Sequence, residues 1–348
     1  MSAQIVVTGA AGFIGRNVVA ELNRRGHEDL ILVDQLGNDE KWRNLVGLRY
    51  EDIISPDAFL VLVKSGTLGR LDAIIHLGAC SATTEHDADY LLRNNYRYTR
   101  TLCEWSLEHD TRFVYASSAA TYGDGTQGYS DSDEATLALQ PINMYGYSKH
   151  IFDLWALKYK LFERIVGLKY FNVYGPYEDH KGDMRSVVSK SYEQIKSTGK
   201  VQLFKSYRQE YEDGEQVRDF IYVKDAVAVT LHFALTRQSS GLFNCGTGNA
   251  RTWKDLVRAV YAAMDLPPQI EFIPMPEQLR GKYQYFTEAK MDKLRNAGYT
   301  AEFRSLEDAV ANYITTYYEK QPAQDSSKPS PPSAEVEKKT HEFSDTEY

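Results

Sequence analysis

The chain is poor in cysteine: Cys80, Cys103 and Cys245 are the only ones in 348 residues. They form no CxxC pair, and no His/Cys group has metal-ligand spacing, so neither a disulfide framework nor a metal site is expected. Each thiol sits among apolar or small residues, which reads as reduced, buried cysteine in a cytoplasmic protein. No apolar run approaches the roughly 20 residues that span a bilayer. The opening MSAQIVVTGAAG lacks a basic leader stretch and passes straight into a strand pattern, so neither secretion nor a membrane is expected. Positive charge is also short, 40 Lys and Arg against 48 Asp and Glu for a net charge of −8, and no basic stripe exists. That excludes an extended nucleic-acid surface.

What is present is an ordinary globular composition, 43% hydrophobic, with 25 tyrosines, several beside glycines. β-branched runs at 4–8, 30–34, 73–77, 113–117 and 165–170 alternate with helical patterns at 13–25, 90–108 and 147–160. Such alternation predicts an α/β fold, a Rossmann-like doubly wound parallel sheet covered on both faces. After Tyr170 the rhythm changes to a Gly-, Pro- and charge-rich stretch, FNVYGPYEDHKGD. Helices are predicted at 187–197, 224–235, 253–264 and 305–319, and strands at 217–223 and 241–245. The expected division is 1–170 with 217–246 as a dinucleotide-binding domain, and 171–216 with 247–320 as a smaller, partly discontinuous α/β substrate domain. From Gln321 the chain is Pro-, Ser- and charge-rich, and a disordered tail over 321–348 is expected.

Gly9, Gly12 and Gly15 follow a strand and open a helix. Glycines there let the backbone approach a pyrophosphate at a helix N-terminus, and Asp34 closes the next strand about 20 residues on. A carboxylate at that place accepts from the ribose hydroxyls of NAD and repels the extra phosphate of NADP. Lys41 and Arg43 lie just downstream and could offset that phosphate, so spacing alone leans slightly to NAD.

The stretch MYGYSKH sets Tyr145 four residues before Lys149, on one face of a helix. A phenol beside an ammonium is pushed from about 10 toward neutrality, where it serves as a proton acceptor. In ASSAATYG, Ser117 and Ser118 stand at the C-terminal edge of the sheet, where open α/β sheets bind ligands. Serine, tyrosine and lysine together suit hydride chemistry at an alcohol. The blander readings are an ordinary helix face for the pair and a strand-end turn hydroxyl for Ser118.

With GAAGFIG, LGACS, YASSAATYG, YGYSK, YFNVYGP and RDFIYVKD in order, the chain resembles the extended short-chain dehydrogenase/reductase family. Within that family, the blocks GACSATTE, NNYRYT, KYFNVYGPYEDHKGDM, FNCGTG, IPMPEQLRGKYQYFTEA and LRNAGY are similar to the ADP-L-glycero-D-manno-heptose 6-epimerases. HKG and GKYQYFT are the most specific of these. The resemblance implies inversion at carbon six of an ADP-activated heptose of the lipopolysaccharide core, by transient oxidation and re-reduction with tightly held NADP. It also implies a homo-oligomer, a pentamer in that group.

Residue by residue, the resemblance implies that Tyr145 and Lys181 exchange protons on opposite faces of the sugar, with Ser118 steadying the oxygen and Lys149 on the nicotinamide ribose. It places Gly9, Gly12, Phe13, Ile14, Gly15, Asp34, Gln35, Lys41, Leu77, Gly78, Ala79, Cys80, Ser81, Asn94, Val173 and Lys181 on the cofactor. Ser118, Asn172, Asp183, Lys190, Phe204, Lys205, Ser206, Tyr207, Arg218 and Tyr283 fall at substrate positions, Arg218 as the partner of the diphosphate. The chain departs from the pattern at Gln35, Pro56, Leu77, Asp183 and Lys190, and SYRQEYEDGEQVRD is longer than its counterpart. Two other enzyme readings compete. A 4,6-dehydratase needs acids where Ala119 and Ala120 stand, and a UDP-hexose 4-epimerase has no evident use for HKG. A dinucleotide-binding protein without catalysis would need none of Ser118, Tyr145 and Lys149, all of which are present.

Overall fold

Short runs of valine, isoleucine and leucine build the centre of the molecule because their branched side chains fill both faces of a buried sheet. The computed structural model describes residues 4–280 and 283–320. The tail expected to be disordered lies outside the described residues. Seven parallel strands form the main sheet: β1 (Ile5–Thr8), β2 (Leu30–Val33), β3 (Asp52–Ile54), β4 (Ala73–His76), β5 (Arg112–Ser118), β6 (Val166–Tyr170) and β7 (Gly241–Cys245), ordered β7-β6-β5-β4-β1-β2-β3. The chain therefore winds one way from β1 to β3 and the other way from β4 to β7. Between β1 and β4 a crevice opens at the carboxyl ends of the strands, the ligand position of a Rossmann-like sheet.

Two helices frame that crevice. Helix α1 (Phe13–Arg24) begins directly after the glycine turn. Helix α2 (Met144–Lys158) begins three residues before the predicted start at 147, because the Asn143 side chain caps it by accepting from the Gly146 amide at 2.7 Å. A Cβ on Gly146 would lie 2.6 Å from the Ala120 carbonyl oxygen. That close approach brings α2 against the turn that follows Ser118. The long helix predicted at 90–108 is present, with a wider turn at Leu92–Arg97 before Tyr98–Glu108.

The single strand predicted at 217–223 is instead two pieces. Val217–Arg218 pairs antiparallel with Arg251–Thr252, and Phe220–Tyr222 pairs parallel with Asn172–Tyr174. Asp219 sits at the break, fully buried, its carboxylate accepting from the amides of Thr247, Gly248 and Ala289 at 2.7–3.0 Å. A buried carboxylate needs such donors, and they hold the chain out of a continuous ladder. The strands β3, Asn172–Tyr174 and the pair Val201–Phe204 with Ile270–Ile273 are too short to show a period in the sequence.

Under the crevice lies a buried ion pair. Lys169 on β6 and Asp153 on α2 are 2.9 Å apart, both side chains fully enclosed. Asp153 also accepts from Tyr115 and Ser117 at 2.7 Å, and Lys169 donates to Thr121 at 2.7 Å. Removing one member of such a pair strands the other charge. Lys169→Met is therefore expected to lower the unfolding free energy by about 3–5 kcal/mol, measured by urea denaturation.

Candidate active site

The glycine turn makes the first wall. Gly9 has φ +68°, and a Cβ there would meet Gly78 at 2.7 Å, while a Cβ on Gly15 would lie 2.0 Å from the Gly9 carbonyl. The turn is packed so tightly that neither position has room for a Cβ. A cleft of about 550 Å³ runs from it, and an adjoining one of about 310 Å³ reaches over Asp34 toward Asn94. Gly9, Gly12, Phe13, Ile14, Gly15, Asp34, Lys41, Leu77, Gly78, Ala79, Cys80, Ser81, Lys149, Val173 and Lys181 line the first; Gln35, Pro56 and Asn94 line the second. Asp34 accepts from the Ala11 amide at 2.7 Å with one oxygen and from the Lys41 amine at 2.6 Å with the other. Lys41 thus sits beside Asp34 and offsets its charge. Glycine turn, helix N-terminus and carboxylate suit the pyrophosphate and ribose of a dinucleotide.

Ser118 ends β5 on the cleft side, while the neighbouring Ser117 turns inward to Asp153. The Ser118 oxygen accepts from the Ala120 amide at 3.1 Å, leaving its own proton free to donate. Tyr145 stands against it on the first turn of α2. The expected lowering of the phenol by Lys149 is not found. Burial pushes Tyr145 above its ordinary value, with the Ser118 hydroxyl only partly opposing. The reason is visible in Lys149, whose amine donates to the Ala116 carbonyl at 2.8 Å. Burial lowers Lys149 itself to about 8, against the pull of Asp153 one turn along.

Lys181 reaches the same cleft from the 175–186 segment, its amine 5.1 Å from the centre of the Phe13 ring. Burial pulls its pKa down and Lys190 adds to this, while Glu178 opposes. The neighbouring His180 meets the Asn44 amide at 3.1 Å, and Asn44 also donates to the Ala11 carbonyl at 2.8 Å. Asn44 and Glu178 are thus tied to the site yet escaped the sequence reading. A buried Asn inside a short helical turn and one acid in a charged loop carry no pattern.

Of the expected substrate positions, Ser118 lines the dinucleotide cleft and the others are not among its lining residues. Arg218 is buried and pairs with no carboxylate among the described residues. It donates to the Val217 carbonyl at 2.8 Å and to that of Gln284, with the rings of Tyr283 and Trp253 at 5.2 and 5.6 Å. Trp253 donates to the Tyr283 hydroxyl at 2.9 Å. Burial lowers the Arg218 pKa, opposed by the phenols of Tyr283, Tyr129 and Tyr211. Phe204 ends the strand Val201–Phe204, Lys205, Ser206 and Tyr207 follow it, and the Arg280 guanidinium lies 4.1 Å over the Tyr207 ring. Asn172 is exposed, and Lys190 donates to the Asp183 carbonyl at 2.6 Å.

Comparisons to known proteins identify the family. The chain belongs to the NAD dependent epimerase/dehydratase family, whose model matches residues 5–246. It is 56% identical over 313 residues to the ADP-L-glycero-D-manno-heptose-6-epimerase of Nitratidesulfovibrio vulgaris, covering 90% of this chain and 97% of that one. It is 47% identical to the protein of the same name from Fusobacterium nucleatum, covering 91% and 98%. Among solved structures it is similar to the Helicobacter pylori ADP-L-glycero-D-manno-heptose-6-epimerase, with TM-score 0.76, 26% identity and coverage of 90% and 96%. A UDP-glucose 4-epimerase of Thermotoga maritima gives TM-score 0.74 and 26% identity, covering 91% and 99%.

Lys149 makes a pH prediction. Its folded pKa of about 8 lies below the 10.5 of a free lysine, so between these values the unfolded chain holds a proton that the folded chain has lost. The cost of burying the ammonium is full below pH 8 and disappears as pH rises to 10.5. Relative to Lys149→Met, the wild type is expected to gain about 3 kcal/mol across that window, measured by urea denaturation at fixed ionic strength.

Proposed function

We propose that this protein is a nicotinamide-dependent sugar-nucleotide epimerase that converts ADP-D-glycero-D-manno-heptose to ADP-L-glycero-D-manno-heptose by inverting carbon six. The observation that carries this reading is that Tyr145 and Lys181, from two unrelated elements, line one cleft together with Ser118. Inversion through a ketone needs a proton taken on one face of the sugar and a proton given on the other. A nicotinamide dinucleotide, held by the glycine turn and Asp34, would supply the hydride-accepting and hydride-returning chemistry that this inversion needs.

The two groups are suited to opposite duties. Burial holds the Tyr145 phenol protonated and moves the Lys181 amine toward its neutral form. Groups whose environments push their pKa values toward opposite roles mark an acid and a base. In one direction Lys181 accepts the alcohol proton and Tyr145 returns one to the new alkoxide; in the other the roles exchange. The Ser118 hydroxyl donates to the oxygen as charge develops, and Lys149 would hold the nicotinamide ribose. Arg218, buried and without a carboxylate partner among the described residues, is suited to the diphosphate. Ala119 and Ala120 form the turn after Ser118, so no acid is placed there for dehydration. Residues 1–170 with 217–246 hold the dinucleotide, and 171–216 with 247–320 the sugar nucleotide. A homo-oligomer in the cytoplasm, a pentamer by resemblance, belongs to the same reading.

NADP is the preferred form. The carboxylate that would repel the 2′-phosphate is neutralised by Lys41, whose amine lies 2.6 Å from Asp34. Lys41→Ala is expected to weaken NADP roughly tenfold and NAD little, a charge-assisted contact being lost from one cofactor only, as read by titration calorimetry.

Tyr145→Phe and Lys181→Met are each expected to slow turnover by roughly 10²–10⁴-fold while dinucleotide remains bound. Conversion is followed by NMR of the carbon-six configuration. Near-full turnover by Lys181→Met would overturn the two-base reading.

A further inference from the structure

We infer that the C-terminal helix belongs to the catalytic apparatus: Tyr313 and Tyr317, through Glu178 and Asp179, clamp the loop that presents Lys181. The inference rests on the reading of Lys181 as the second proton-exchanging group.

Glu178 is completely buried three residues before Lys181. One oxygen accepts from the Ser186 amide at 2.6 Å; the other accepts from the Ser186 hydroxyl at 2.6 Å and faces the Gly175 amide at 3.5 Å. Gly175 and Ser186 are the two ends of the loop, so one carboxylate staples its entrance to its exit. The Lys181 amide donates to the Glu178 carbonyl at 3.0 Å. A carboxylate out of water is costly unless its lone pairs are taken up. From outside the loop the Tyr313 hydroxyl reaches it at 3.2 Å, on a side chain with no exposed surface. A phenylalanine there would leave the carboxylate one donor short.

The next turn of the helix supplies the second grip. The Tyr317 hydroxyl donates to Asp179, and its ring meets the edge of Tyr177 with centroids 4.9 Å apart. Tyr177 is covered in turn by the Arg16 guanidinium, 3.5 Å from its ring centre, on the helix that opens the dinucleotide crevice.

The backbone is shaped for this. Helix α3 (Leu306–Tyr313) does not continue with α-helical bonding. It widens over Ile314–Tyr318, where the Glu319 amide bonds the Ile314 carbonyl five residues back at 3.1 Å. Such wide turns recur at functional sites. With more residues in the turn, Tyr317 and Tyr318 both flank Tyr313. The hydroxyls of Tyr313 and Tyr318 lie 3.1 Å apart, and Tyr318 donates to Ser189, just beyond the loop, at 2.8 Å. The sequence VANYITTYYEK is thus written for a face of three phenols turned on one loop.

Tyr313 and Tyr317 are positioning residues, and the test separates them from a merely structural role. Each carbon-six epimer depends on a different base for its oxidation. The full-chain enzyme, loaded with cofactor, is mixed rapidly with one epimer at a time, and cofactor reduction is followed by absorbance. Lys181→Met identifies the epimer that relies on Lys181. The Tyr313→Phe/Tyr317→Phe double variant should slow that same epimer roughly tenfold or more, since small misplacements of a reacting group cost this much. The other epimer should stay within about twofold of wild type. Added to Lys181→Met, the same two changes should cost nothing further, the non-additivity of groups acting through one another. Glu178→Gln should follow the double variant; the tyrosine changes keep the test alive if that protein does not fold. Equal slowing of both epimers, no slowing, or full additivity with Lys181→Met would overturn the clamp alone. If Lys181→Met itself slowed both epimers alike, the two-base reading would fall and the clamp with it.

Discussion

The docking of α2 on β5 and β6 through the enclosed Asp153–Lys169 pair is the constraint on which the catalytic face depends. Asp153 is drawn on by Lys169, Tyr115 and Ser117 at once, so its helix cannot rotate or slide without stranding a charge. One turn nearer the crevice, the same helix face carries Lys149, and a further turn brings Tyr145 against Ser118. Gly146 permits the last approach, where any side chain would strike the Ala120 carbonyl. A hydrophobic contact in place of the ion pair could be as stable, but it would tolerate small shifts. Hydride chemistry does not tolerate them.

The same burial that orders this face sets its protonation. Tyr145 is raised, and Lys149 and Lys181 are lowered, each by desolvation before any neighbour acts. A phenol made basic by an adjacent ammonium is therefore not the resting condition of this chain. Lys149 is turned to the Ala116 carbonyl, where its positive end is available to a ribose rather than spent on the phenol. Burial thus favours a protonated Tyr145 and brings both lysines nearer neutrality than free ones, which suits the phenol to giving a proton and the Lys181 amine to taking one.

The fold was legible because its signals are local. A glycine turn after β1, an acid ending the next strand and YxxxK on a helix each need only a few consecutive residues, and all fall where the pattern puts them. What escaped depends on distant partners. The break at Asp219 arises from amides at 247, 248 and 289, invisible from RDFIYV itself. Asn44 matters because a histidine 136 residues away comes to it. The direction of the Tyr145 shift was misread because spacing reports that a lysine is near on the helix, not where its amine points.

Lys181 shows the same limit from the other side. By composition it is a solvated charge in a polar loop, and its resemblance alone marked it for chemistry. A loop cannot place a base unless something outside it pays for its order. Here the order comes from three directions: Asn44 on His180, Arg16 on Tyr177, and the last helix on Glu178 and Asp179. Two of the three start from elements that wall the dinucleotide crevice, and the third from the far end of the described chain. Tyr145, proposed as the first base, is built into a helix and needs only its neighbours. Lys181, proposed as the second, is held by segments of sequence more than 300 residues apart, counting Arg16 to Tyr317, and no local pattern reports that order.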